Sequence, residues 1–157
     1  MEQGKSLASQ TPKSQPPQAR QQEAIVNILR TANYLRTFCS PIFDVHDITA
    51  QQYNVLRILR GAGLEGLPTL EIGERMIEHA PGITRLLDRL EAKKLVRRER
   101  PSDNRRQVIC YVTKAGLDLV SELDAPMKDQ AVEALRRLKK SEIDELIRLL
   151  QLARNEP

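Results

Sequence analysis

The chain has 157 residues, enough for one domain with its own hydrophobic core. Lys and Arg number 25 against 21 Asp and Glu, so a net charge of +4 favours a polyanionic partner only mildly. Two cysteines, Cys39 and Cys110, without CxxC or Cys/His spacing argue against zinc, and the lack of a long apolar run or an apolar signal core argues against a membrane partner and points to a soluble protein of a reducing cytoplasm.

Aromatic residues make up 3% of the chain, so the core is built from Leu, Ile, Val and Ala, which suits packed helices. Residues 1–22, rich in Gln, Ser and Pro, read as a disordered tail. A first helix over 23–40 follows, with Ile25, Ile28, Leu29, Ala32 and Leu35 on one stripe and Pro41 as its stop. Thr49 and Gln52 form a capping box for a second helix carrying Tyr53, Leu56 and Leu59. Pro68 opens a short third helix with Leu70, Gly73 and Met76 inward. A fourth begins near Pro81 with Ile83, Leu86, Leu87 and Leu90 inward. Two short β-rich runs around Pro101-Ser102-Asp103-Asn104 read as a hairpin. Thr113 caps a fifth helix, and Ser141 with Asp144 caps a sixth.

The fold class is therefore mainly α with a small β-hairpin: two helices joined by a turn, then a basic hairpin, which together describe a winged helix-turn-helix. Residues 79–106 carry nine Lys and Arg against four Asp and Glu, an electrostatic footprint for nucleic acid. The major groove admits one α-helix, and the fourth helix turns Thr84, Arg85, Asp88 and Arg89 outward. Ala80, Pro81 and Gly82 let its start approach a phosphate closely. Arg105 or Arg106 at the hairpin tip can enter a narrow minor groove.

The run from Leu67 to Val96 resembles the MarR family of bacterial regulators, whose recognition helix and exit follow T-R-L-[VL]-D-R-L-E-x-x-G-L-V. Thr84 to Glu91, then Leu95 and Val96, match it position for position. The hairpin is similar to the family's D-x-R … V-x-[LV]-T-x-x-G, carried by Asp103, Asn104, Arg105, Arg106, Val108, Val112, Thr113 and Gly116. Three departures stand out. Ile77 replaces a frequent Gly in the turn. Lys94 replaces the Gly before Leu95, and so must take a positive φ or bend the exit differently. Counting from Asp103 selects Arg105 as the groove arginine, whereas counting back from Thr113 selects Arg106, the preferred register, with Asn104 in the place of the family's acid.

The resemblance covers residues 23–154, divided as a DNA-binding lobe over 49–113 and dimerisation helices over 23–40 and 114–154. It implies a homodimer on double-stranded DNA at a pseudo-palindromic operator, acting as a repressor that answers to a small aromatic effector. Tyr34, Phe38, His46 and Tyr53 are the candidate effector-pocket residues, weighed against core packing. Asp88 is weighed between facing bases and pairing with a neighbouring Arg. Both cysteines read as structural rather than redox-sensing. No cofactor is indicated. An enzyme is disfavoured, since His46 and His79 have no paired carboxylates, nucleophile elbow or phosphate loop to work with. The remaining alternative is a winged-helix protein-interaction module without DNA binding.

Overall fold

A computed structural model of the chain describes residues 17–78, 82–102 and 106–154. The expectations for the tail over 1–16 and for Ala80, Pro81, Asp103, Asn104 and Arg105 fall outside those residues. The chain divides into two compact units, one ending at Tyr34 and the other beginning at Leu35.

Helix α1 runs Pro17–Asp44 and supplies the first unit. Residues 17–22 are thus helical rather than part of a tail. Their low apolar content hid this, but Gln18, Ala19, Arg20, Gln21 and Gln22 are good helix formers. Nor does the helix stop at Pro41. Pro41 cannot bond back to Thr37, and the Ser40 hydroxyl donates to that carbonyl instead, at 3.1 Å, so the last turn continues. Within the first unit Ile25, Val26, Ile28 and Leu29 are exposed.

In the second unit α2 (Ala50–Ala62) begins at the capping box: Thr49 Oγ1 accepts from the Gln52 N–H and Gln52 Oε1 accepts from the Thr49 N–H. Its Tyr53, Val55, Leu56 and Leu59 are buried. A 3₁₀ turn over Gly63–Glu65 leads to β1 (Leu67–Pro68) and then α3 (Thr69–Arg75). The inward face of α3 differs from the expected one. Ile72 and Met76, one turn apart, are buried, whereas Leu70 is 79% exposed. Seven residues are too few for an apolar period to decide which face turns in.

Helix α4 (Ile83–Ala92) starts after its N-cap Gly82, whose φ is +120°. Leu87 and Leu90 are fully buried, with Ile83 and Leu86 packed against the same core. At its end the Leu95 N–H bonds to Leu90 O and the Lys94 N–H to Glu91 O, the paired bonds of a Schellman motif. Lys94 therefore takes the left-handed conformation, φ 59°, one of the two outcomes expected for it.

Strands β2 (Val96–Glu99) and β3 (Ile109–Val112) form the hairpin, but the sheet has three strands in the order β1-β3-β2, all antiparallel. β1 escapes sequence reading because it is two residues long and ends in Pro. Thr113 Oγ1 accepts from the Gly116 N–H and caps α5 (Lys114–Ala134). A Cβ at Gly116 would collide with the Leu95 carbonyl and Val112. Helix α6 (Lys140–Ala153) is capped two residues earlier than expected: Glu142, not Asp144, reaches back to accept from the Lys139 N–H at 2.7 Å. Arg60 grips Asp124 with two bonds, 2.8 and 3.1 Å, joining α2 to α5.

Replacing Lys94 by Gly removes the left-handed strain at the cost of a looser unfolded chain. The Lys94→Gly variant is expected to gain roughly 1 kcal/mol in urea unfolding, and Lys94→Ala to gain nothing. A loss in the glycine variant would show that the exit is not strained.

Candidate nucleic-acid interface

The outward residues of α4 fall into two stripes one turn deep. Thr84, Asp88 and Glu91 recur at four and three residues and face the hairpin, whereas Arg85 and Arg89 form the neighbouring stripe. Ile83, Leu87 and Leu90 hold the opposite side against the core, so the helix cannot roll without exposing them.

On the first stripe, Arg98 of β2 meets two carboxylates. Its Nη2 lies 2.7 Å from Asp88 Oδ1 and 2.5 Å from Glu91 Oε2, and its Nε donates to the same Glu91 oxygen at 2.9 Å. Bonding to Glu91, then to Asp88, raises the affinity of this guanidinium for its proton although partial burial opposes it. Asp88 thus pairs with an arginine, as one of its two readings held.

Beyond Arg98 a groove of about 550 Å³ opens between α3, α4 and the hairpin. Thr84, Arg98, Arg100 and Arg106 line it together with Pro68, Thr69, Leu70, Gln107 and Val108. The groove joins Thr84 and Arg106, candidates from separate elements. It also adds Arg98, Arg100, Thr69 and Leu70, which were not anticipated as site residues. A two-residue period counted from buried Val96 puts Arg98 and Arg100 on one strand face, and that signal was present in the sequence. Arg97 points the other way, its guanidinium 4.0 Å from the centre of the Tyr111 ring.

Arg89 lies at a second cleft with Asp44, Asp47, Gln52 and Lys93, where the α1–α2 connection meets the end of α4. Lys93 Nζ holds Asp47 Oδ2 at 2.6 Å and keeps that carboxyl below its ordinary value. Arg85 is exposed on the same stripe. Gly82, the N-cap, is exposed as well. In the turn before α4 the Ile77 N–H donates to Asn54 Oδ1 at 3.0 Å, and Ile77 has no positive φ that would call for glycine.

The four effector candidates differ in their surroundings. Tyr53 is buried in the core, its ring 5.2 Å from that of Phe43. Tyr34 belongs to the first unit. Phe38 and His46 are half-buried on the second, and Phe38's carbonyl accepts from Gln130 of α5 at 2.7 Å. Burial pushes both the Cys110 and the Cys39 thiols up, opposite to what a reactive thiol requires. No group of three His, Cys, Asp or Glu able to hold a metal occurs among the described residues.

A supporting helix, a recognition helix and a hairpin wing in this order, with a third short strand completing the sheet, make a winged helix-turn-helix protein. The chain belongs to the MarR family. That family's model matches residues 48–108, and a MarR transcription factor structure from Planctomyces limnophilus is 42% identical, covering 83% of this chain and 95% of its own at a TM-score of 0.67. The transcriptional regulator TtmR of Methylorubrum extorquens is 34% identical over 76% of this chain, and the match spans only 60% of that longer protein. In fold the chain is also similar to a mutant E. coli MarR solved with operator DNA, at 22% identity and a TM-score of 0.77, covering 88% of this chain and 99% of that one. The family is one of transcription regulators rather than enzymes. No helix among the described residues is long and apolar enough to cross a membrane.

Cys110 sits fully buried on the central strand beside Thr69. In native protein near neutral pH it should resist a thiol reagent such as dithionitrobenzoate and react only on unfolding. Rapid labelling of Cys110 in the folded state, located by peptide mapping, would reopen a redox role.

Proposed function

We propose that the protein is a sequence-specific DNA-binding transcription regulator that acts in the cytoplasm as a repressor, occupying a pseudo-palindromic operator as a homodimer. The observation carrying this reading is the groove that brings Thr84 of the recognition helix and Arg106 of the wing onto one cationic surface. Arg85 on the outward stripe can take guanine O6 and N7 together, while Arg106 supplies the minor-groove guanidinium. Among the described residues neither of these arginines makes an ion pair, so both charges remain for phosphate or base. The E. coli relative solved on operator DNA supports the choice of ligand.

Dimerisation is argued from α6. Leu146, Ile147, Leu149 and Leu152 are exposed within one chain. At about 25 cal/mol per Å², covering such a face is worth several kcal/mol. A small aromatic effector is a part of this reading that rests on the family resemblance alone.

Affinity for duplex DNA is expected to fall steeply with salt, with a log–log slope between about −5 and −9 for six to ten phosphate contacts. A slope near zero would leave the protein-interaction module as the better reading. On a duplex enriched from a random library by the wild-type chain, Arg85→Ala should cost about 1–3 kcal/mol while affinity for random DNA holds. Arg106→Ala should weaken both and flatten the slope. Ile147→Glu should yield a monomer by sedimentation, and a persistent dimer would remove α6 from the interface.

A further inference from the structure

We infer that Arg98 is a positioning residue for DNA reading: it fixes the recognition helix to the wing through Asp88 and Glu91, and it makes no phosphate contact of its own. The inference rests on the DNA-binding function proposed above and concerns how that surface is held. Arg98 lies on the groove, where a free cation would serve phosphate. Its side chain, however, is only 23% exposed and is engaged by two carboxylates from successive turns of one helix face. Swinging out toward a phosphate would leave both carboxylates uncompensated beside a polyanion, so the exchange is unfavourable on either side.

Geometry gives the cluster a second anchor. Arg98 pairs in register with Cys110 on the central strand, and Cys110 Sγ lies 3.6 Å from Thr69 Oγ1 at the start of α3. Leu87 and Leu90 along the inner face of α4 resist lifting and any large roll, so a tether on its flank acts on the small rotations that apolar packing tolerates. Asp88 and Glu91 project from its side toward β2, at the radius where a tether best resists those rotations. Base-edge contacts depend on the resulting angle, because bidentate bonds from Arg85 tolerate little misdirection. Counterion release depends instead on the number of cations presented, and hardly on their exact aim.

That difference supplies the test. The double variant Arg98→Met/Glu91→Gln removes one positive and one negative charge, leaving the net charge of the surface unchanged. The probes are the duplex enriched from a random library by the wild-type chain and an unrelated duplex of equal length, each titrated across a salt series. Affinity for the enriched duplex is expected to fall about tenfold, the scale of one lost base contact. Affinity for the unrelated duplex should stay within about twofold with the salt slope unchanged. Asp88→Asn, which leaves the Glu91 bonds intact, should show the same pattern at about threefold, and it serves if the double variant folds poorly by circular dichroism. A slope flattened by about 1.8, two contacts per dimer, with both affinities reduced, would make Arg98 a phosphate contact and overturn the inference. Unchanged affinity for the enriched duplex would overturn it equally. If the wild-type chain itself enriches no sequence and shows no salt dependence, the DNA-binding reading fails first and takes the assignment with it.

Discussion

A recognition helix of ten residues is too short to be stable by itself, yet it must offer one face to DNA at a fixed angle. Its order therefore comes from the side turned away from the ligand. Leu87 and Leu90 are inserted without residual exposure, Ile83 and Leu86 flank them, and the Schellman exit at Lys94 aims the chain directly into β2. Because the helix leads at once into the wing, the two DNA-facing elements share a support, and a change at one is felt by the other.

The same economy governs charge. Residues 79–106 hold a cationic surplus, but not all of it is offered outward. Arg98 is engaged by Asp88 and Glu91, Lys93 by Asp47, and Arg97 by Glu99 and the Tyr111 ring. These internal pairs fix backbone segments around the helix, while Arg85, Arg89, Arg100 and Arg106 remain as the outward set. A plain count of basic residues overstates the footprint, since several of its members act as struts.

Much of this was legible in advance where a local rule operates. The Thr49–Gln52 box, the Thr113 cap, the inward face of α4 and the positive φ at Lys94 each follow from a few neighbouring residues. The misreadings arose where a local rule met a non-local compensation. Pro41 breaks helices in general, but a preceding serine hydroxyl took over the orphaned carbonyl. Leu70 reads as core on hydrophobicity alone, but the tilt of a two-turn helix turned Ile72 inward instead. Arg98 was counted as charge and missed as a site residue, because its partners sit seven and ten positions back on a different element. Tyr53 was weighed as a pocket residue, and Phe43, which buries it, lies across the α1–α2 connection.

The second unit also explains how a dimer of the proposed kind can hold two reading heads at a set distance. Helix α5 is bonded to α2 by the two-armed Arg60–Asp124 pair and to the last turns of α1 by Gln130 on the Phe38 carbonyl. α2 in turn shares its buried Leu56 and Leu59 with the core that seats α4. Displacement of α5 is thus passed to the recognition helix through packed side chains and bidentate bonds rather than through a flexible linker. A half-site spacing of one DNA turn, about 34–36 Å, demands that kind of rigidity, since an error of one base-pair step would turn Arg85 toward the wrong groove edge.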